Sequence, residues 1–268
     1  MGSIVHRDLR NVAVAGGFGG LGVLVVERLL QSGGFNVTIL SRTPRDDIPH
    51  GAKLVTVDYS DQGTLVNALR AQDVVVSTLS RDATLLQIPL IDASAIAGVK
   101  RFIPSEFGGN LQNPNTRQLP NYKKKVEVEL YLEEKAKTHG ISYTYIYNNI
   151  FLDWAIENGM LLDLKNCHAP LYDGGERRIS LTRMPTAAKV VEEVLLHYSQ
   201  TRNRSICVHE ICLSQRELLS LAKEVTADES WTEEHIDLQK LEQAANDRER
   251  SRVPNDVKEI LADGAKRL

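Results

Sequence analysis

The chain has 268 residues, 42% of them hydrophobic and 25% charged, the make-up of an ordinary globular protein with enough apolar material for a sizeable core. A net charge of −3 provides no whole-protein field favouring nucleic acid or an anionic membrane, and the short basic run Lys123-Lys124-Lys125 is too small to change that. No run approaches the ~20 apolar residues of a membrane helix, and the three cysteines, Cys167, Cys207 and Cys212, form no CxxC pair or disulfide framework, so they are expected as free, packed thiols of a cytoplasmic protein.

In chain order, the opening MGSIVHRDLR carries charge where a signal peptide needs an apolar stretch, and His6 stands where a myristoylation signal has Ser or Thr. Short β-branched runs then alternate with helical stretches. Strands are expected at Asn11–Ala15, Asn36–Leu40, Lys53–Val57, Asp73–Thr78, Arg101–Pro104 and Ser142–Tyr147. Helices are expected at Leu21–Gln31, Leu65–Arg70, Leu85–Ala97 and Lys123–Thr138, the last two closed by Gly98 and Gly140. This alternation predicts a parallel sheet with helices on both faces, and full burial explains runs such as DVVVST that lack polar alternation. After Phe151 the rhythm changes: strand-like pieces at Cys167–Tyr172, Arg178–Leu181 and Ser205–Val208 mix with helices at Thr186–Tyr198 and Gln215–Val225, and a charged, helical tail runs from Asp237. The expected fold is α/β, a Rossmann-like doubly wound parallel sheet over 10–150, with a smaller C-terminal substrate lobe over 151–268 partly interleaved with it.

Five glycines fall within seven positions between the first strand and the first helix: Gly16, Gly17, Gly19, Gly20 and Gly22, interrupted by Phe18 and Leu21. Gly16, Gly19 and Gly22 fit G-x-x-G-x-x-G, in which one glycine makes a tight turn, one lets a diphosphate touch backbone and one lets helix pack on strand. The competing reading is a packing turn without a ligand; the strand–loop–helix–strand order favours a dinucleotide. At the end of the second strand, Ser41-Arg42-Thr43-Pro44-Arg45 has no acid for a ribose 2′-hydroxyl. Arg42, with help from Arg45, offers a permanently charged fork for a 2′-phosphate, which selects NADPH (NADP+) over NADH; Asp46 and Asp47 follow and weigh against it, and a solvated surface arginine is the alternative. Asp58, closing the third strand, fits either the adenine side or a turn or helix-cap role, and Thr78 and Leu79 at the end of the fourth strand should border the dinucleotide. Seven histidines are scattered without ligand spacing, so no metal is expected.

The segments VAVAGGFGGLG, DVVVSTLS, AGVKRFIPSEFG and Tyr143-Thr144-Tyr145-Ile146 together resemble the NmrA-like branch of atypical short-chain dehydrogenases, which includes isoflavone reductases and phenylcoumaran benzylic ether reductases; NNIFLDWAIENG resembles fungal isoflavone reductase-like members. The resemblance covers roughly residues 10 to 235 and implies a Rossmann fold, NADPH and a small substrate lobe, expected to be abbreviated relative to longer members. Ordinary short-chain dehydrogenases carry Tyr-x-x-x-Lys on the helix before the sixth strand. Tyr131 and Lys135 match it literally, but Lys135 lies five residues before Gly140, at the far end of that helix from the cofactor crevice. Lys125 lies near the helix start, and Asn121 stands where the tyrosine would be. The resemblance assigns the family's lone catalytic lysine, followed by K-x-x-V, to Lys125, with Lys123 and Lys124 leaving a register ambiguity and a solvated lysine as the alternative.

The same resemblance puts Ser105 and Phe107 beside the nicotinamide and matches Asn148, Asn149 and Phe151 to the family's N-G-x-F segment, with Asn149 in place of glycine, a residue that tolerates positive φ. A turn hydroxyl for Ser105 and core positions for both phenylalanines are the structural alternatives, and Asp153-Trp154 is a candidate pocket rim. Two functions follow: an NADPH-dependent reductase of a small aromatic or apolar metabolite, monomeric or homodimeric and without nucleic-acid or membrane partners, or a non-catalytic NADP(H)-binding redox-sensing regulator that acts through a protein partner.

Overall fold

The apolar run before the glycines forms strand β1 (Asn11–Ala15), in which every residue after Asn11 is buried. In the computed structural model, residues 9–227 and 230–241 are described. The elements continue as α1 (Gly20–Gln31), β2 (Asn36–Ser41), β3 (Lys53–Thr56), α2 (Gln62–Leu69), β4 (Val74–Ser77), α3 (Gln87–Ala97), β5 (Arg101–Ile103), α4 (Pro114–Arg117), α5 (Lys123–His139) and β6 (Ser142–Tyr147). Then come β7 (Ile150–Phe151), α6 (Leu152–Glu157), β8 (His168–Tyr172), β9 (Arg178–Thr182), α7 (Met184–Leu196), β10 (Arg204–Cys207), β11 (Ile211–Ser214), α8 (Gln215–Thr226) and β12 (Thr232–Ile236).

The main sheet has the order β10-β6-β5-β4-β1-β2-β3, and β1 to β6 pair in parallel. Strand order therefore reverses at β1, with β2 on one side and β4 on the other; in a doubly wound fold, ligands bind at the carboxyl ends of the strands beside such a switch point. Register locks this arrangement: Ala15 pairs with Leu40 and Ser77, so the loops after β1, β2 and β4 all leave from one level. The helix ends follow local chemistry. Gly98 and Gly140 terminate α3 and α5 in the left-handed conformation, φ +79° and +73°, and Asp61 caps α2 by accepting from the backbone of Gly63 and Thr64.

The described residues divide into two compact units. One comprises the chain up to Phe107 together with Tyr122–Ile146 and Pro185–Ile206. The other comprises Gly108–Asn121, Tyr147–Met184 and the described residues from Cys207 onward. The second unit contains a three-stranded sheet, β11-β9-β7, and the parallel pair β12-β8. Its core gathers Ile150, Leu161, Leu171, Leu181, Leu219 and Trp231 among others.

Two expectations need correction. Leu85–Ala97 is not one helix: a 3-10 turn over Arg81–Leu86 leads into α3, and α2 starts at Gln62 because Asp61 supplies its cap. Nor are the cysteines all packed, although Cys167 lies against the core of the second unit. All three are free, Cys207 is exposed at the end of the sheet-edge strand β10, and Cys167 and Cys212 are only half-buried. The acidic segment Thr232–Ile236, just before the expected tail and without an expected element, forms β12, whose pairing with β8 is a tertiary contact. The opening residues through His6, and the tail beyond Leu241, lie outside the described residues. Among the described residues, no helix is long and apolar enough to cross a membrane, and no cluster of three or more His, Cys, Asp or Glu stands where a metal could be held.

Candidate functional site

After Ala15 the chain turns through Gly16 at φ +85°, closed by a 2.9 Å hydrogen bond from Gly19 N to Gly16 O. A Cβ on Gly22 would stand 2.0 Å from Gly16 O and 2.8 Å from Thr78 Oγ1, and one on Gly17 would stand 2.8 Å from Ile39 Cγ2. Those glycines let helix lie on strand. Thr78 completes the packing, its N and Oγ1 both donating to Ala15 O at 2.8 and 3.1 Å. Gly19 is different: it is exposed, and a Cβ there would meet only Gly16 O, at 3.3 Å. As N-cap of α1 it contributes no side-chain cap, and the first turn, opened by exposed Gly20 and half-buried Leu21, holds no acid. The first N–H groups of a helix have no intrahelical partner, and the helix dipole places positive potential on them. Among the described residues no side chain caps them and no acid stands in the first turn, an arrangement whose sign suits an anion such as a diphosphate.

The loop after β2 brings two guanidiniums to the same end of the sheet. Arg42 is exposed and makes no hydrogen bond or ion pair among the described residues; its charge acts on buried Tyr59, whose phenol burial pushes up to about 12 against that pull. Arg45 is engaged. Its guanidinium carbon lies 4.3 Å from the centre of the Phe18 ring, inside the glycine turn, and its Nε and Nη2 donate to the two carboxylate oxygens of Asp47 at 2.7 and 2.6 Å. That bidentate bond holds the Asp47 carboxyl below its ordinary range. Ser41 is used locally, its hydroxyl donating to Thr43 O at 2.7 Å. Asp58 is exposed and accepts from Ser60 N and Oγ at 2.8 and 2.7 Å, so one oxygen is occupied by a turn, while the helix cap falls to Asp61.

At the end of β5, Ser105 joins two loops: its N donates to Gln87 Oε1 and its hydroxyl to Leu79 O, both at 2.8 Å. Gln87, fully buried, was not singled out from the sequence; no local pattern distinguishes it from any other residue at a helix start. Phe107 is buried and holds φ +28°, a conformation unusual for a residue with a side chain. Immediately before it, the Glu106 carbonyl accepts a hydrogen bond from Lys125 Nζ. Lys123 and Lys124 are exposed, so of the three lysines opening α5 it is half-buried Lys125 that turns toward the β5 loop.

A model of the NmrA-like family matches residues 9–264. The chain belongs to the NmrA-like family. Among its relatives, the oxidoreductase aprR of Aspergillus flavus is 35% identical over 87% of this chain and 80% of its own. The bifunctional pinoresinol-lariciresinol reductase of Linum album is 30% identical over 78% of this chain and 70% of its own. Among solved structures, the binary complex of leucoanthocyanidin reductase with NADPH from Vitis vinifera superposes with a TM-score of 0.76 at 24% identity, covering 95% of this chain and 86% of that one; the likeness is one of fold.

This NmrA-like chain disposes of its literal Tyr-x-x-x-Lys within α3 and α5. Tyr131 OH donates to Asp92 Oδ1 at 2.6 Å, and Lys135 Nζ pairs with the same oxygen at 2.6 Å. Burial and the Asp92 carboxylate both raise the Tyr131 phenol, the opposite of what a proton donor to substrate needs. In the second unit, Asn149, expected in place of the glycine of N-G-x-F, holds φ +56°. Asn148 is fully buried: its carbonyl accepts from Thr182 Oγ1 at 2.9 Å, and its Oδ1 has no hydrogen-bond partner among the described residues. Phe151 is half-buried at the start of α6, in a strand paired with Thr182. Asp153 is committed to capping α7, accepting from Met184 N at 3.0 Å, and Trp154 is exposed.

Proposed function

We propose that this protein is an NADPH-dependent reductase of a small aromatic or apolar metabolite. The observation that carries the reading is the uncapped first turn of α1 together with the guanidinium of Arg42, which makes no hydrogen bond or ion pair among the described residues. On this reading the N–H groups at Gly20 and Leu21 bind the diphosphate, and Arg42 binds the 2′-phosphate as a fork. Ser105 and Gln87 fix the β5 loop that runs to Phe107, and Lys125 stands over that loop. The nicotinamide, when bound, supplies the hydride. Lys125, with one donor on the Glu106 carbonyl, keeps two N–H donors to hold a substrate oxygen and deliver a proton to it. The relatives named as oxidoreductase and as pinoresinol-lariciresinol reductase support reduction as the reaction class.

Consumption of NADPH with a panel of aromatic metabolites tests this. Lys125→Ala is expected to lower kcat by about 100-fold or more, the usual scale of a lost proton donor, with 2′,5′-ADP affinity unchanged; equal turnover in both proteins removes the role. Arg42→Ala should bring NADPH affinity down toward that for NADH. The bond from Lys125 to a main-chain carbonyl favours a second reading, in which the lysine only braces the loop and the protein is a dinucleotide-binding regulator. Tight NADPH binding with no consumption across the panel would select it.

A further inference from the structure

The loop after β2 holds two arginines in different circumstances, and the difference has a use. Arg42 is open, whereas Arg45 lies on the Phe18 ring with its fork filled by Asp47. Phe18 sits within the glycine turn, so the ring contact holds the exposed Arg45 guanidinium at the edge of that turn. The partner it carries there is a carboxylate bound bidentately, the same planar two-oxygen face that a phosphate offers an arginine. Asp47 is exposed and follows Arg45 by only two residues, and among the described residues Arg45 is the one side chain it pairs with.

We infer that Asp47 competes with the cofactor's 2′-phosphate for Arg45, and thereby sets how strongly the protein discriminates NADP(H) from NAD(H). The inference rests on the cofactor assignment proposed above. Arg42 meets the phosphate at no cost, while Arg45 must exchange one bidentate anion for another. A nucleotide without the 2′-phosphate gives Arg45 no reason to leave Asp47. The acid that follows β2 is then neither a ribose ligand nor a bystander: it tempers the affinity for the phosphorylated cofactor without helping the unphosphorylated one.

Calorimetric titration of the full chain with 2′,5′-ADP and with ADP tests this without reference to catalysis. Asp47→Ala should tighten 2′,5′-ADP roughly two- to five-fold, the factor that an exposed ion pair is worth, and leave ADP essentially unchanged. The gain should vanish in the double variant Asp47→Ala/Arg45→Ala. Asp46→Ala removes the same charge one position earlier without freeing Arg45, and should produce a smaller gain. The inference is overturned if Asp47→Ala leaves 2′,5′-ADP affinity unchanged, if both nucleotides tighten equally, if Asp46→Ala reproduces the gain, or if the gain survives without Arg45. Wild-type protein that binds 2′,5′-ADP while failing one of these comparisons keeps the cofactor assignment and loses only the exchange. Wild-type protein that ignores 2′,5′-ADP loses both.

Discussion

At the scale of single residues, the glycine cluster does two jobs that one motif conceals. Gly22 is a packing glycine: its Cβ would stand 2.0 Å from a main-chain oxygen, which cannot move without moving the turn. Gly19 is exposed and open except for one contact at 3.3 Å, and on the proposed reading it is the glycine that borders the ligand. Gly22→Ala is therefore expected to cost about 3 kcal/mol or more of stability, the range reserved for direct backbone conflict, and to abolish 2′,5′-ADP binding with it. Gly19→Ala should cost only about 1 kcal/mol, the loss of a favourable N-cap residue, yet weaken nucleotide binding by placing a methyl group against the first turn of α1. Urea denaturation and titration of each variant separate the two, and equal stability losses would show the division to be wrong. The same distinction applies to the lysines. The resemblance points to Lys125 with a register ambiguity, because which of three successive lysines faces the β5 loop depends on the phase of α5 against the sheet, and that phase turns Lys125 there.

Among elements, β5, β6 and the end of α7 are joined by one fully buried arginine. Arg101 donates from Nε to Ser142 Oγ at 2.9 Å, from Nη1 to Thr144 Oγ1 at 2.6 Å and from Nη2 to Tyr198 O at 3.0 Å, with the Tyr198 ring 4.6 Å away. No carboxylate meets it among these contacts; burial lowers its pKa to about 10, and carbonyls just past the C-terminal end of α7 supply the compensating negative potential. Arg101→Ala should cost about 3 kcal/mol or more, from the cavity and from a buried carbonyl left without its donor, read as a lower denaturation midpoint at unchanged nucleotide affinity per folded molecule. A loss below about 1 kcal/mol would mean that water replaces the guanidinium. The sequence shows Arg101 only as the polar first residue of a short strand; its role depends on residues one hundred positions away, such as Thr201.

At the scale of the whole molecule, a ligand that binds only the folded chain must raise its stability by mass action, about 2.7 kcal/mol at one hundred times Kd. NADPH is accordingly expected to raise Tm more than NADH at equal concentration, and Arg42→Ala should abolish the difference. Identical shifts for the two nucleotides in the wild-type protein would take the 2′-phosphate out of the site. This test needs no substrate, so it applies equally to the reductase and the regulator readings.

The six parallel strands and their order of arrival were legible because buried parallel strands appear as uninterrupted β-branched runs, and because left-handed glycines stop the intervening helices. The expected Asn11–Ala15 and Ser142–Tyr147 coincide with β1 and β6. The glycine turn was legible for the same local reason, since close approach of backbone leaves no choice of residue. The short elements of the second unit were not: β7, β11 and β12 exist through partners far along the chain, as when Ile150 pairs with Leu181. The chain by itself determined what is set within one turn or one strand, where propensity, burial and φ act on neighbours. Only the tertiary structure decided which arginine is open and which is held, which lysine faces the β5 loop, and where Tyr131 and Lys135 spend their polar groups, because each is a pairing across space whose energy depends on distance and desolvation rather than on sequence position.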